Sequence, residues 1–378
     1  MRLLGLLLLL GLAWGQGAPE VWLTGDPIPS SFIQQAAQRV LVWNGLSGLN
    51  IPAQPPLELE QQRTLAVGAT TLTLSQVPAP NSHATQLLLS NDPENISATR
   101  GLFHYQFGAN AGIRLVYHHK NTASTPLELH LRLSNPSQEE VWVWVSDAWA
   151  GPVADEIYAG HIATKRWLEL YWGRVGQLVE LLPGSQLELS QVVMGSKQVV
   201  SGLLEAIVTQ GPSAVLDVYA KAPGEDEPPL ETYSNGPVYR LGSLETRVQR
   251  SYTAGSSLQL SLGEGTFQAG NGKKIRGSWG QLYTYTLELN NPSKVVHSVG
   301  LQLTADGGAA RGMVWLEGQP IELPLLRPGD SFKLGQFTLP PGAQQTVTLS
   351  TLPASGSNYP LRLLLFDPNA SDGTGSTP

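Results

Sequence analysis

The chain has 378 residues, of which 40 are Gly and 28 Pro, together about 18% against a usual share of roughly 12%. Only 14% of residues are charged while 41% are hydrophobic, ten are Trp and none is Cys. This excludes a helical bundle, a coiled coil, an acidic disordered tail, disulfides and thiolate chemistry; the net charge of -7 argues against a nucleic-acid partner.

Met1-Arg2, an apolar run Leu3 to Leu12 and Ala13-Trp14-Gly15 have the n-region, h-region and small-residue end of a secretory signal peptide, cleaved after Gly15 or Ala18. The run is far shorter than the ~20 residues that span a bilayer, and no later stretch qualifies. The expected location is secreted, periplasmic or on the cell envelope. Residues 16–80 read as a Pro-punctuated leader packing on the first domain, with a short helix at Ile33 to Val42 and a strand at Thr71 to Leu74.

Residues 81–221 read as a first β-sandwich. Leu127-Glu128-Leu129-His130-Leu131-Arg132-Leu133 places Leu on one face and polar residues on the other. The turn Ser134-Asn135-Pro136-Ser137 and the strand Val141-Trp142-Val143-Trp144-Val145 follow. Ala159 to Gly173 has helical spacing and predicts one helix across the sheet, then three more strands near 186–189, 202–208 and 214–219. An acidic Pro/Gly stretch, 222–237, reads as a linker, 238–366 as a second sandwich and 367–378 as a disordered tail.

An internal repeat links the two blocks. Asn135-Pro136-Ser137 is followed by Leu182-Pro183-Gly184, and Asn291-Pro292-Ser293 by Leu339-Pro340-Pro341-Gly342, with Asn-to-Gly separations of 49 and 51 residues. The expected fold is therefore mainly β, two tandem β-sandwich (Ig-like) domains with one short helix in the first.

Three function classes compete. No catalytic motif is present, so the leading expectation is a non-enzymatic exported envelope protein acting in adhesion, scaffolding or surface-polymer binding, without a cofactor, whose partner is an envelope polysaccharide or another surface protein. A metal-binding protein or metal-dependent enzyme is the second: a hairpin around Gly108 to Gly112 would bring His104 beside His118, with Asp147 and His161 completing a set. A carbohydrate-binding module using Trp142, Trp144 and Trp149 as an aromatic platform is the third, against which stands coverage of that strand by the helix around Trp167.

Ser90-Asn91-Asp92-Pro93-Glu94, Gly101-Leu102-Phe103, Arg114 to Asn121 with its Tyr117-His118-His119-Lys120 core, and Ala150-Gly151-Pro152 occur in that order. In these pieces the chain resembles a group of uncharacterised secreted bacterial β-rich proteins of cyanobacteria and Firmicutes, some fused to copper-amine-oxidase N-terminal-like domains. Gly277-Ser278-Trp279-Gly280 stands where that group has an element close to Gly-Asn-Tyr-Gly. The resemblance implies an extracytoplasmic β-rich protein and brings no activity or catalytic residue.

Overall fold

Period-2 sequence becomes strand almost throughout, because alternation lets each strand bury one face while Gly, Pro and Asn close the turns. The computed structural model describes residues 18–49, 51, 62–109, 111–229, 238–241, 243–269, 272 and 274–369. The expected signal peptide, 1–15, and most of the expected tail lie outside them.

The chain divides into residues 1–78 and 79–378. The first body holds β1 (Glu20–Thr24), α1 (Ser30–Trp43), β2 (Gln62–Val67) and β3 (Thr70–Gln76). β3 runs antiparallel to β2 and parallel to β1. Phe32, Ile33, Ala36, Ala37 and Val40 form the buried helical stripe that the spacing predicts.

The second body contains two sandwiches. In the first, a large sheet is ordered β14 (Val238–Arg240), β4 (Ala84–Ser90), β7 (Gly112–Asn121), β12 (Val199–Gln210), β9 (Val141–Val153), β10 (Gly176–Leu181), with β5 (Asn95–Ile96) also beside β7. A small sheet is ordered β11 (Gln186–Met194), β8 (Leu127–Ser134), β13 (Ser213–Lys221), β6 (Arg100–Gly108). Leu127, Leu129, Leu131 and Leu133 all point into the core. The polar face of β8 is not left to solvent, since residues 222–229 fold back over it: Glu227 pairs with Arg132 at 2.5 Å and accepts from the Tyr219 hydroxyl at 3.1 Å. The expected linker thus begins as a strap on the first sandwich, because its acids find cations there. Val238–Arg240, expected in the second block, pairs with β4 in the first.

The helix α2 (Glu156–Trp172) lies between β9 and β10 in sequence and packs on β9 and β12. Asp155 caps it by accepting the Tyr158 N–H at 2.9 Å, and Gly173 ends it.

The second sandwich pairs one sheet, β15 (Glu245–Thr253), β19 (Leu282–Asn290), β24 (Gln344–Thr351), β21 (Met313–Leu316), β22 (Gln319–Glu322), with another, β16 (Leu258–Leu262), β25 (Leu361–Phe366), β20 (His297–Ala305), β23 (Ser331–Leu339). Leu287, Leu289, Val347 and Leu349 of one sheet share a core with Leu301, Leu303, Leu363 and Leu365 of the other. A small hairpin, β17 (Thr266–Gln268) and β18 (Lys274–Arg276), lies off both sheets.

The repeat extends to topology. β8, β9, β10, β11 and β12 have the same sheet neighbours as β19, β20, β23, β24 and β25: β11 on β8 as β24 on β19, and β10 and β12 flanking β9 as β23 and β25 flank β20. The Asn-Pro-Ser arches share all but one of their side-chain bonds, the extra one running from Asn291 Nδ2 to the Pro340 carbonyl at 3.0 Å. Asn135 Nδ2 donates to the Glu139 and Leu181 carbonyls at 2.7 and 2.9 Å, and Asn291 Nδ2 to those of Val295 and Leu339 at 2.8 and 2.9 Å. In both, the Ser two residues on donates N–H and hydroxyl to the Asn Oδ1. The opposing turns have Gly184 at φ 70° and Gly342 at φ 69°, the left-handed region where glycine is free of the Cβ penalty. Asn121 builds a third arch without the Pro-Ser signature, donating to Thr125 and Met194 carbonyls at 2.9 Å each.

Candidate functional site

The residues of the proposed metal set are dispersed. β6 and β7 do not form a hairpin; the chain at Gly108 to Gly112 crosses between sheets, so His104 pairs with β13 in the small sheet while His118 sits in the large one. The Gly-rich stretch that suggests a hairpin turn serves equally as an arch between layers. His104 Nδ1 lies 2.6 Å from Asp217 Oδ1, His161 Nε2 on α2 lies 2.8 Å from Glu322 Oε1 in the second sandwich, and Asp147 is buried on β9. Among the described residues no three His, Asp or Glu side chains are grouped so that they could hold a metal ion.

Nor does the aromatic strand offer an open platform of three indoles. Trp144 is 2% exposed, with the Arg174 guanidinium 5.1 Å from its ring centre and Gly176 against its edge. Trp142 and Trp149 are half-buried, the Trp142 indole N–H being held by Glu140. The covering groups come from the segment that follows α2 and, at β9 and β12, from α2 itself.

A cleft of about 220 Å³ lies elsewhere, where the large sheet, the first turn of α2 and the second sandwich meet. Asn91 and Glu94 come from the segment after β4, His118 from β7, Glu156 from α2, Trp279 from the turn before β19, and Ser355 to Asn358 from the segment before β25. Backbone contact fixes these walls. A Cβ on Gly160 of α2 would lie 1.7 Å from the Ser355 carbonyl oxygen, and one on Gly356 would lie 2.6 Å from that of Glu156. Only hydrogen at both positions permits such an approach.

The turn carrying Trp279 is anchored from the opposite side. Arg114, 1% exposed on β7, donates to the Gly280 carbonyl at 2.8 Å and to Glu205 Oε2 at 3.1 Å. Its guanidinium lies 4.6 Å from the Trp167 ring centre and 5.2 Å from that of Tyr171, both on α2. One buried cation thus ties the large sheet, the helix and the Trp279 turn together.

His118 and His119 point to opposite faces of β7, as adjacent strand residues must, and both are buried because both faces of the sheet are covered. His119 is fully satisfied. Its Nδ1 lies 3.1 Å from the Pro93 carbonyl, which only accepts, so Nδ1 carries the proton and Nε2 accepts from the Ser90 hydroxyl at 2.9 Å. Burial holds its pKa down at about 3. His118, which faces the cleft, has no hydrogen-bond partner on either ring nitrogen, and the Glu94 carboxylate stands 4.0 Å from its Nε2. Burial lowers His118 to about 4, so the ring is neutral near pH 7. Glu94 is raised by burial and by the charge of Glu156, whereas Glu156 is paired with Lys120 at 2.5 Å. The Trp279 indole nitrogen is likewise without a hydrogen-bond partner.

A second depression, about 450 Å³, lies on the small sheet beside the 222–229 strap and is lined by His104, Arg132, Asp217 and Glu227 among others. Its charges answer one another: His104 with Asp217, and Arg132 with both Asp217 at 3.7 Å and Glu227. The cleft at His118 differs in holding a buried ring with neither nitrogen bonded, whereas in the second depression the atoms without a partner are Arg132 Nε and Ser185 Oγ, beside charges that are otherwise paired.

No protein-family model matches the chain, and no curated protein matches it. Among solved structures, an anti-sigma factor domain-containing protein is similar at 12% identity over 69% of this chain and 84% of that one, with a TM-score of 0.18. A tandem of two family-22 carbohydrate-binding modules from Paenibacillus barcinonensis Xyn10C is similar at 10% identity over 75% and 94%, TM-score 0.16. Tripeptidyl peptidase 2 is similar at 12% over 79% and 24%, TM-score 0.21. Likenesses at these scores carry no argument, and the site rests on its own geometry.

Two of the sequence pieces singled out above, Ser90 to Glu94 and Arg114 to Asn121, supply Asn91, Glu94 and His118, and Trp279 comes from Gly277 to Gly280, where the chain departs from the expected Gly-Asn-Tyr-Gly. Their order along the chain was the available signal. The segment 355–358 carries none, since the docking of the second sandwich on α2 brings it in, while the packing of α2 on the large sheet sets Glu156 beside Lys120.

Proposed function

We propose that the chain is an exported, non-enzymatic surface-polymer-binding protein, and that its contact with the polymer is the cleft between the two sandwiches. The observation that carries this reading is His118: a buried imidazole with no hydrogen-bond partner on either nitrogen, facing a cleft whose lining includes two carboxylates, two amides, two serines and an indole beside Leu89 and Val116. A buried polar group without a partner costs roughly 1–3 kcal/mol, and a ligand with hydroxyl or amine groups removes that cost. Small concave sites with a few convergent polar groups beside an aromatic surface suit a sugar ring, whose faces are apolar and whose edge is polar. The absence of any catalytic motif in the sequence supports binding rather than turnover. The expected partner is a polysaccharide of the cell envelope, which agrees with the signal peptide read at residues 1–15.

Calorimetric titration of the purified protein with β-1,4-linked sugar tetramers tests this. Binding is expected for at least one, with loss of at least tenfold in affinity for Trp279→Ala and His118→Ala at unchanged fold by circular dichroism. Affinity that survives both substitutions refutes the site, and release of shorter sugars on incubation refutes the non-enzymatic part.

A further inference from the structure

The cleft is acidic as well as unsatisfied. Glu94 and Glu156 are the charged residues that line it, and Lys120, 2.5 Å from Glu156, offsets only one of them. The positive end of α2 does not redress the balance, because Asp155 already caps it and Glu156 stands in its first turn. His118 adds no charge near neutral pH.

The spacing of His118 and Glu94 is informative. At 4.0 Å their facing atoms are too far apart for a hydrogen bond to each other. A nitrogen atom about 2.9 Å from each would see them about 87° apart, roughly 20° inside the angle between two N–H bonds of an ammonium group and within the bending that hydrogen bonds tolerate. A divalent transition metal about 2.1 Å from each would instead need them about 145° apart, and no third ligand of the described His, Asp or Glu residues joins them. A hydroxyl has one proton to give and no charge to offset Glu94; an ammonium has three and a full positive charge.

We infer that the cleft takes a ligand bearing a primary ammonium group, held between the Glu94 carboxylate and the His118 ring with Glu156 beside it, and that the ligand is an amino sugar of a surface polymer. This rests on the polymer-binding reading above and names its ligand class. The sugar source is favoured over a lysine side chain by the Trp279 indole and the Asn91 and Asn358 amides, which line the same cleft and match a ring bearing several hydroxyls.

The test uses three β-1,4 tetramers that differ only at carbon 2: glucosamine (ammonium), N-acetylglucosamine (amide) and glucose (hydroxyl), with N-acetyl-lysine amide as a fourth probe. At pH 6.5 in low salt the glucosamine tetramer is expected to bind at least tenfold more tightly than the other two. That preference should shrink as sodium chloride is raised. Glu94→Gln, at a partly exposed side chain, should reduce the glucosamine-over-glucose preference to within about twofold, and a preference that stays at tenfold or more overturns the role given to Glu94. Equal affinity for the three tetramers overturns the ammonium inference while leaving polymer binding intact. Tighter binding of the lysine probe than of the glucosamine tetramer overturns the sugar assignment. No binding of any tetramer overturns the function proposed above together with this inference.

Discussion

Replacing Arg114 by Met removes a buried charge while keeping much of its length. Glu205, itself 1% exposed, would then keep a carboxylate with only the Ala84 N–H, at 3.2 Å, to stabilise it. Breaking one side of a buried pair costs about 3–5 kcal/mol, because the remaining ion stays desolvated. The Gly280 carbonyl also loses its donor, and the rings of Trp167 and Tyr171 lose the cation between them. For a body of residues 79–378 about 4 kcal/mol corresponds to a fall of about 6 °C in Tm. Urea denaturation of Arg114→Met gives the loss directly. The double variant Arg114→Met with Glu205→Gln should recover at least half of it, since the neutral amide still accepts from Ala84 and strands no charge. A single variant within 1 kcal/mol of the parent refutes the clamp, and a double variant as unstable as the single refutes the electrostatic origin of the cost.

His119, held at about 3 against 6.5 in the unfolded chain, binds fewer protons folded than unfolded, so its contribution is complete above pH 6.5 and declines as pH falls towards 3. His119→Phe should therefore lower stability at pH 7.5 by about 1–3 kcal/mol while flattening the slope between pH 6.5 and 4, both read from denaturant midpoints. A slope as steep as the parent's would assign the acid sensitivity to other groups. Asn135→Ala leaves two backbone carbonyls without their donor and Asn291→Ala three, and each should cost about 2–4 kcal/mol, the two values agreeing within about 1 kcal/mol because the arches otherwise match. A cost under 0.5 kcal/mol, roughly a surface substitution, at either position contradicts the arch as a structural tie. Glu322, drawn down to about 2 by Lys165 and His161, is partly exposed, so Glu322→Gln should cost about 1 kcal/mol or less at neutral pH, shrinking in high salt. A loss independent of salt would mean that the carboxylate acts by packing.

The strands were legible because alternation is a local property. Leu127 to Leu133 has one solution, and so does the helix after Asp155, whose cap and final Gly173 bracket an apolar stripe. The duplication was legible too, since an Asn arch needs a small set of residues in a fixed order. Asn121 escaped notice because its arch replaces Pro-Ser with Thr-Ala and the turn glycine with Lys197 at φ 63°. The pairing of strands was less accessible. Gly108 to Gly112 is compatible with a hairpin and with an arch between sheets, and only packing chooses, so the expected neighbourhood of His104 and His118 was lost. The cleft escaped for the same reason: five of its eleven lining residues, Trp279 and Ser355 to Asn358, lie more than 120 residues further along the chain than the rest.

The two copies differ most between the fourth-from-last and third-from-last of their five shared strands, where one has gained α2 and the other the pair β21 and β22. These two insertions meet. His161 and Lys165 of α2 hold Glu322 of β22, and Trp172 at the end of α2 lies 6.3 Å, ring centre to ring centre, from Trp315 of β21. Duplication alone would have produced two beads whose outer faces were built for water. The two halves fill the same slot differently, with a helix in one and a strand pair in the other, and these unlike pieces add a contact to the one that Arg114 and Gly160 already make. The same slot is therefore where grafted sequence would alter how the halves are joined while leaving both cores as they are.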